Sequence, residues 1–559
     1  MVDLQSKPFH LSPEDIRWVH STLASMDLDS KLGQLLFPVG STTDRTELVG
    51  LLNGIKPSGF MFPAGPAAER QELHRFLQER SELPLLLAAN LEFGGNGIAK
   101  EGTFFAKPMQ VAATDDGQQA YRLGLTAGRE GAGVGVNWTF APIVDIDYNP
   151  RNPITNTRTF GSDPERVARM ALGYARGIWE SGLAVSVKHF PGDGVDDRDQ
   201  HLGESINSLP VEEWEGSYGQ VYRKLIEAGA ETIMVGHIKL PAYSRHLRPG
   251  LADEHIMPAT LAPELLGPLL RERLGFNGLV LTDASTMAGF MIAEKRSVAV
   301  PGTIAAGCDI LLFSHNIEED FSYLREAVRD GRLSLERVEE AVTRILALKA
   351  SLGLHRRHQT GTLVPEPAAL AVIGLKQHTE WARECADLSV TLVRDTNKLL
   401  PIDPVRQKRV LLVVIGDEGR RQTLPDRYKL LVDKLEREHF LVTLLKEQES
   451  WPNKQKLSIA ELQERFDWAL YFVNLETDCT MPSLRIHWSP PMGTDLPWFA
   501  QELPTVFLSV ANPYHHAEVP RSAVLINGYS GNVYVIEAAM DKILGRSKFK
   551  GIHPVNPFD

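Results

Sequence analysis

The sequence predicts an α/β protein: a (β/α)8-type TIM barrel followed by a smaller α/β sandwich domain. Short runs that are apolar nearly throughout alternate with helix-period segments from about residue 30 to 350. Runs of that kind suit parallel strands covered on both faces. Repeated strand–helix units over so long a stretch favour a closed barrel over an open sheet. A basic, Gly- and Pro-containing stretch, LHRRHQTGTLVPEPAALAV (354–372), then separates a second set of apolar runs. The expected division is a catalytic barrel at 1–353 with a short helical lead-in, a linker at 354–372, and a second domain at 373–559.

In chain order, the barrel strands are expected at SGFMF (58–62), PLLLAAN (84–90), VGVNWTFAPIVD (134–145), LAVSVKHF (183–190), ETIMVGHI (231–238), GLVLTDA (278–284) and CDILLF (308–313). Seven or eight strands fit equally well. DPERVARMALGYARGIWESG (163–182) reads as a helix, with apolar residues recurring at three and four, Asp-Pro at its start and Gly at its end. The alternate glycines of GAGVG (131–135) precede a strand where a dinucleotide fingerprint needs a helix, so they read as a helix end. Beyond the linker, a helix (QHTEWARECADLSV) leads to VTLVRDTNKLLPI and RVLLVVIGD. Further strands are expected at FLVTLL, WALYFVNL, PTVFLSVANP and AVLINGY.

Composition narrows the function classes. The 559 residues are 43% hydrophobic and 23% charged, with a formal net charge of −12 and no long basic block. That argues against a sequence-independent grip on nucleic acid. No segment has the 18 or so consecutive apolar residues of a membrane span. The N-terminal MVDLQSKPFHLSPEDIRWVH lacks a signal-peptide core, and the three cysteines (Cys308, Cys385 and Cys479) are widely spaced. A cytoplasmic location is the expectation, and a homodimer is left open.

The chemistry collects at strand ends. In a β/α barrel, functional groups come from the C-terminal ends of strands and the loops after them. Asn90 and Glu92 follow PLLLAA, Asp145 and Asp147 follow NWTFAPIV, Lys188 and His189 end LAVSV, His237 ends ETIMVG and Asp283 ends GLVLT. Five strands would thus deliver polar groups to one face, as a catalytic pocket requires. Asp283 reads as a nucleophile or general base, with capping of the next helix as the plainer role. KHFPGDGVDDRDQH (188–201) turns outward at PGDG, and Asp199 and His201 at i, i+2 share one side of an extended loop. A carboxylate placed so fixes one imidazole nitrogen and leaves the other to exchange a proton. A cation held by His189, Asp193, Asp196, Asp197 and His201 is the rival, but the spacing fits neither an EF-hand nor HExxH.

Together, FAPIVDIDYNPRNPITNTRTFGSDPERV, KHFPGDGVDDRDQH and LRERLGFNGLVLTDASTMAGF resemble glycoside hydrolase family 3, more narrowly its β-N-acetylglucosaminidase branch. There the pattern is KHFPG, a short variable turn, then Asp-x-His, which Lys188–Gly192 and Asp199-Gln200-His201 match. The resemblance implies a retaining two-step displacement without cofactor or metal. Asp283 would be the nucleophile, and His201, oriented by Asp199, the acid and then the base. Arg158, Lys188 and His189 match the family's sugar contacts, with Asn90 and His237 as further expected substrate contacts. Two positions depart from the pattern. NLEFGGNG replaces Asp-x-Glu-Gly-Gly-Arg, so Asn90 stands for Asp, and Ala284 stands where many relatives carry a second Asp.

The expected activity is that of an exo-acting β-N-acetylhexosaminidase on small soluble glycans such as chitin or cell-wall fragments. A β-glycoside phosphorylase, or a glycosidase for another sugar, is the alternative within the same chemistry, because a neutral imidazole repels an anionic acceptor less than a carboxylate does. A non-catalytic carbohydrate-binding barrel is the alternative outside it. The second domain would wall the cleft, mediate dimerisation or stabilise the barrel.

Overall fold

The apolar runs close into a ring of eight parallel strands. In the computed structural model, which describes residues 2–416, 426–446, 458–477, 479–480, 485–488 and 495–558, these are β1 (Leu36–Phe37), β2 (Gly59–Met61), β3 (Leu86–Ala89), β4 (Trp138–Thr139), β5 (Ala184–Phe190), β7 (Thr232–Val235), β9 (Leu279–Ala284) and β10 (Ile310–Leu312). Two further short strands, β6 (Ser205–Ile206) and β8 (Ile238–Lys239), pair outside the ring. The strand absent from the seven expected runs is β1. It pairs with β10, and it meets β2 through Ser58 N–H to Leu36 O (3.1 Å) and Gly40 N–H to Met61 O (2.7 Å). Those bonds shut the barrel.

The run at 134–145 contributes only two paired residues as regular strand, because Pro142 has no N–H to give the ladder. The chain still tracks β5, with Val144 N–H bonding Lys188 O at 2.7 Å. Trp138 fills the barrel interior from β4. Its Nε1 donates to Thr232 Oγ1 (3.0 Å), and it meets Phe37 of the distant β1 edge-on at 5.5 Å. The expected helix after Asp163 spans Pro164–Glu180, and the Asp163 side chain caps it by accepting from Glu165 N–H.

Residues 354–372 hold two short helices laid on the barrel, where Arg75 Nη2 donates to Pro365 O (2.6 Å). The helix Lys376–Ser389 leads to a six-stranded sheet: β11 (Thr391–Asp395), β12 (Arg409–Ile415), β13 (Leu441–Lys446), β14 (Trp468–Val473), β15 (Thr505–Ser509) and β16 (Val524–Asn527). Its order is β11-β16-β15-β14-β12-β13, parallel except for β11. Alternate residues enter separate cores. Val410, Leu412 and Val414 face one layer, and Leu411, Val413 and Ile415 the other, as a strand of period two covered on both sides requires.

The carboxyl ends of this second sheet face the barrel. Tyr514 O–H donates to Asp147 Oδ2 (2.6 Å), Asn156 Nδ2 to Asn512 Oδ1 (3.3 Å) and Asn532 Nδ2 to Gln110 Oε1 (3.2 Å). In open parallel sheets this edge is where ligands bind. Here the barrel occupies it.

Candidate active site

Four strands and two loops of the barrel place charged groups within reach of one another. Glu92, just past β3, accepts from Lys188 Nζ (2.7 Å) and from Arg158 Nε and Nη2 (3.2 and 3.1 Å). Burial alone would raise the Glu92 carboxyl, but the two cations outweigh it and hold it well below the usual carboxylate range. Asp145, past β4, accepts from His189 N–H (3.1 Å) and Asp193 N–H (2.8 Å), and its Oδ2 takes the His189 Nδ1 proton at 2.6 Å. A carboxylate is an acceptor, so this bond fixes the His189 tautomer and leaves Nε2 facing Asp283 Oδ2 at 3.8 Å.

Asp283, in β9, is 15% exposed, enough for substrate to reach an otherwise withdrawn carboxylate. Burial works against its charge, yet the imidazoles of His189, His237 and His201 keep its carboxyl below the ordinary value. Its Oδ1 accepts the Ala284 N–H (2.7 Å). The following helix starts at Ala288 behind Met287, so Asp283 is not its cap. The carboxylate is left charged and available.

The loop after β5 folds as PGDG demands. Gly192 and Gly194 take positive φ (119° and 108°), and a Cβ on them would fall 2.1 Å from the Tyr218 ring and 1.9 Å from Ile146 O. Asp193 accepts from Asn152 Nδ2 (2.9 Å), and burial pushes its carboxyl up to about 6. Asp196 is tied to Arg198 and to the Ile206 N–H. The acidic residues of the stretch thus serve different partners. Among the described residues no three His, Cys, Asp or Glu side chains are grouped so that they could hold a metal ion.

Further on, Asp199 Oδ1 accepts both the N–H and the Nδ1–H of His201 (2.8 and 2.6 Å). The His201 ring remains 26% exposed. Burial disfavours its charged form, but the Asp199 hydrogen bond and the Asp283 and Asp199 charges overcome this and raise its pKa. With Nδ1 committed to Asp199, Nε2 is the nitrogen left to trade a proton. Asp283 and His201 thus form a carboxylate and a proton donor that sense each other's charge, the pair a glycosyl-transfer reaction needs.

Not every expected contact lies at this centre in the same way. His237 is buried, its Nε2 donating to Ala284 O (3.0 Å) and its Nδ1 accepting from Thr260 Oγ1 (3.1 Å). Burial lowers its pKa, and with both nitrogens occupied it braces the backbone beside Asp283. Asn90 is exposed just beyond β3, and Glu92 is the residue there that holds Lys188 and Arg158. Asp147 turns away to Tyr514. Sequence reasoning placed Glu92 and Asp145 at strand ends without seeing that they orient the cations and the imidazole. It allowed the second domain to wall the cleft but named none of that domain's residues at the site: Thr480 N–H donates to Asp199 Oδ2 at 2.7 Å. The usable signal was Glu476, a carboxylate that follows the apolar run WALYFVNL much as Asp283 follows GLVLT.

The family model of the glycosyl hydrolase family 3 N-terminal domain matches residues 27–348. A beta-N-acetylglucosaminidase/beta-glucosidase of Cellulomonas fimi is 45% identical, covering 100% of this chain and 99% of that protein. Beta-hexosaminidase A of Pseudoalteromonas piscicida is 28% identical over 63% of this chain and 58% of its own length. The solved structure of beta-glucoside phosphorylase BglX bound to 2FGlc is 43% identical, with a TM-score of 0.94 and 99% of each chain covered.

Proposed function

The chain belongs to glycosyl hydrolase family 3 and is an enzyme acting on β-linked sugars, and we propose that it is a retaining β-glycoside phosphorylase. The observation that carries this reading is the Asp199–His201 pair beside Asp283. First, Asp283 bonds to the anomeric carbon as the aglycone oxygen leaves with the Nε2 proton of His201. That step leaves a glycosyl-enzyme and a neutral imidazole. In the second step a phosphate oxygen attacks the same carbon, the bond to Asp283 breaks, and His201 takes the phosphate hydroxyl proton. Two inversions return the β configuration, so the product is a sugar β-1-phosphate.

A carboxylate base would repel the anionic acceptor, and a neutral imidazole does not. The likeness to beta-glucoside phosphorylase BglX supports the same choice. Hydrolysis, with amino sugars as substrates, is the second reading. It is favoured by the same two-step geometry, which accepts water as readily as phosphate, and by the two activities in the name of the Cellulomonas fimi relative. The proposed glycone is glucose or N-acetylglucosamine. Glu92 sets Lys188 and Arg158, and Asp145 sets His189, to meet its hydroxyls. A doubly charged product is retained by a membrane, which fits the cytoplasmic location expected from the sequence.

The test is turnover of p-nitrophenyl β-glucoside and β-N-acetylglucosaminide with and without orthophosphate, followed by 31P NMR. Phosphate should accelerate turnover and appear as a sugar 1-phosphate. Equal rates with only free sugar released would replace the phosphorylase reading by the hydrolase one.

A further inference from the structure

The second domain reaches the acid/base at a point the mechanism above does not use. Asp199 spends Oδ1 on His201, and its other oxygen accepts the Thr480 N–H at 2.7 Å from a residue 281 positions away. Four residues before Thr480, Glu476 Oε1 lies 3.0 Å from Lys107 Nζ, with the two side chains 5% and 4% exposed. Lys107 also donates to Thr157 Oγ1 (3.3 Å) and stands over the Phe93 ring at 5.7 Å. Thr157 and Phe93 adjoin Arg158 and Glu92 in the chain. One buried ion pair therefore joins the tip of the second sheet to the segments that carry the sugar-facing charges.

We propose that Glu476 and the Thr480 backbone N–H together form a positioning element of the acid/base. The Lys107–Glu476 pair fixes it to the barrel, and the Thr480 N–H sets the orientation and proton affinity of the Asp199–His201 pair. The inference rests on His201 being the acid/base. Two physical effects follow from the geometry. With both oxygens bound, the Asp199 carboxylate cannot rotate, so Nε2 of His201 is held in one direction. The N–H also draws charge from Asp199 and lowers its carboxyl. Asp199 then pulls on the His201 proton less than a free carboxylate would, and the proton is released more easily to a leaving group. The second domain thereby tunes a group that it does not itself contain.

Two variants of the full chain test this. Glu476→Gln removes the anchoring charge. Incorporating the α-hydroxy analogue of threonine at position 480 turns the amide N–H into an ester oxygen and deletes only the donor, so it decides the matter should the first variant fail to fold. Each is assayed on an alkyl β-glucoside, whose departure needs a proton, and on 2,4-dinitrophenyl β-glucoside, whose departure does not. In both cases kcat/KM reports formation of the glycosyl-enzyme. The expected result is an alkyl-glucoside kcat/KM lower by about 10-fold or more, with the dinitrophenyl value near wild type. For the ester variant, the alkaline limb of the alkyl profile should also move to higher pH. An equal fall on both substrates would reduce the element to a structural strut, and no fall on either would remove it from the mechanism; both overturn the proposal. Wild-type protein that turns over neither leaving group, as the β-glucoside or as the β-N-acetylglucosaminide, would instead overturn the reading of the site on which the inference rests.

Discussion

At the carboxyl end of the barrel the strand tips carry Glu92, Asp145, Lys188, His189 and Asp283, and each carboxylate there has a cation or an imidazole beside it. At the carboxyl end of the second sheet, the corresponding tips carry Asn474, Ser509, Asn512 and Asn527, all buried and all neutral. His515 and His516 beside them are pushed down to about 3 by burial, so they too are uncharged at working pH. The difference follows from what each edge faces. The barrel edge lines a cleft that must act on substrate and keeps its buried charges beside opposite partners, whereas a docked edge has no such use for charge and is less costly to bury when neutral. Glu476, just past β14, does carry a charge on this edge. It is paired with Lys107, at the place where that edge reaches toward the cleft.

Substitutions at the two edges should therefore have opposite signatures. The largest effect is expected for Asp283→Ala, with kcat/KM down by about 10^5-fold and thermal stability unchanged or higher, because an otherwise buried charge is gone. A parallel loss of folding would show that Asp283 holds the barrel together rather than acting on substrate. His201→Ala should cost about 10^2- to 10^3-fold on alkyl glycosides and far less on dinitrophenyl glycosides. Similar losses on both would mean that His201 is not the proton donor.

On the docked edge, Tyr514→Phe removes the donor to Asp147. It should lower unfolding stability by about 1–3 kcal/mol in urea titrations while kcat/KM stays near wild type. A selective loss of activity there would erase the contrast between the edges.

The smallest effect is a displacement on the pH axis. In the proposed mechanism the protonated form of His201 is the donor; burial works against that form, but the Asp199 hydrogen bond and the Asp283 and Asp199 charges raise its pKa above the usual 6.5. The alkyl-glycoside kcat/KM should accordingly fall only as pH rises through a value above 6.5. Replacing Asp199 by Asn withdraws the hydrogen-bonded charge that outweighs burial, so the limb should move to lower pH. A limb that stays in place would assign it to another group.

Much of this arrangement is legible in the chain itself. Wholly apolar runs ending in Lys188-His189 or Asp283 give both the strand and its direction, since side chains at the last positions must leave the core. Asp199 and His201 contact each other at two residues' separation, so local geometry suffices. By contrast, β1 was missed because its apolar run, LLF (35–37), continues straight out of the preceding helix Leu28–Gln34 and stops at Pro38, too short to stand out as a strand. The role given to His237 shifted as well. Its place at a strand end is evident in sequence, but the Thr260 hydroxyl and the Ala284 carbonyl that occupy its nitrogens come from other elements.

The sequence by itself determined the alternation that makes a barrel, the strand ends that hold the chemistry, and the Asp199–His201 pair. These depend on hydrophobic period and on neighbours a few residues apart. Only the tertiary structure decided that Glu92 would set Lys188 and Arg158 across separations of 96 and 66 residues, and that Thr480 would bind Asp199 across 281. Such pairings exist only once the ring has closed and the second sheet has docked, because it is closure that takes these groups out of water and brings their charged or hydrogen-bonding partners within reach.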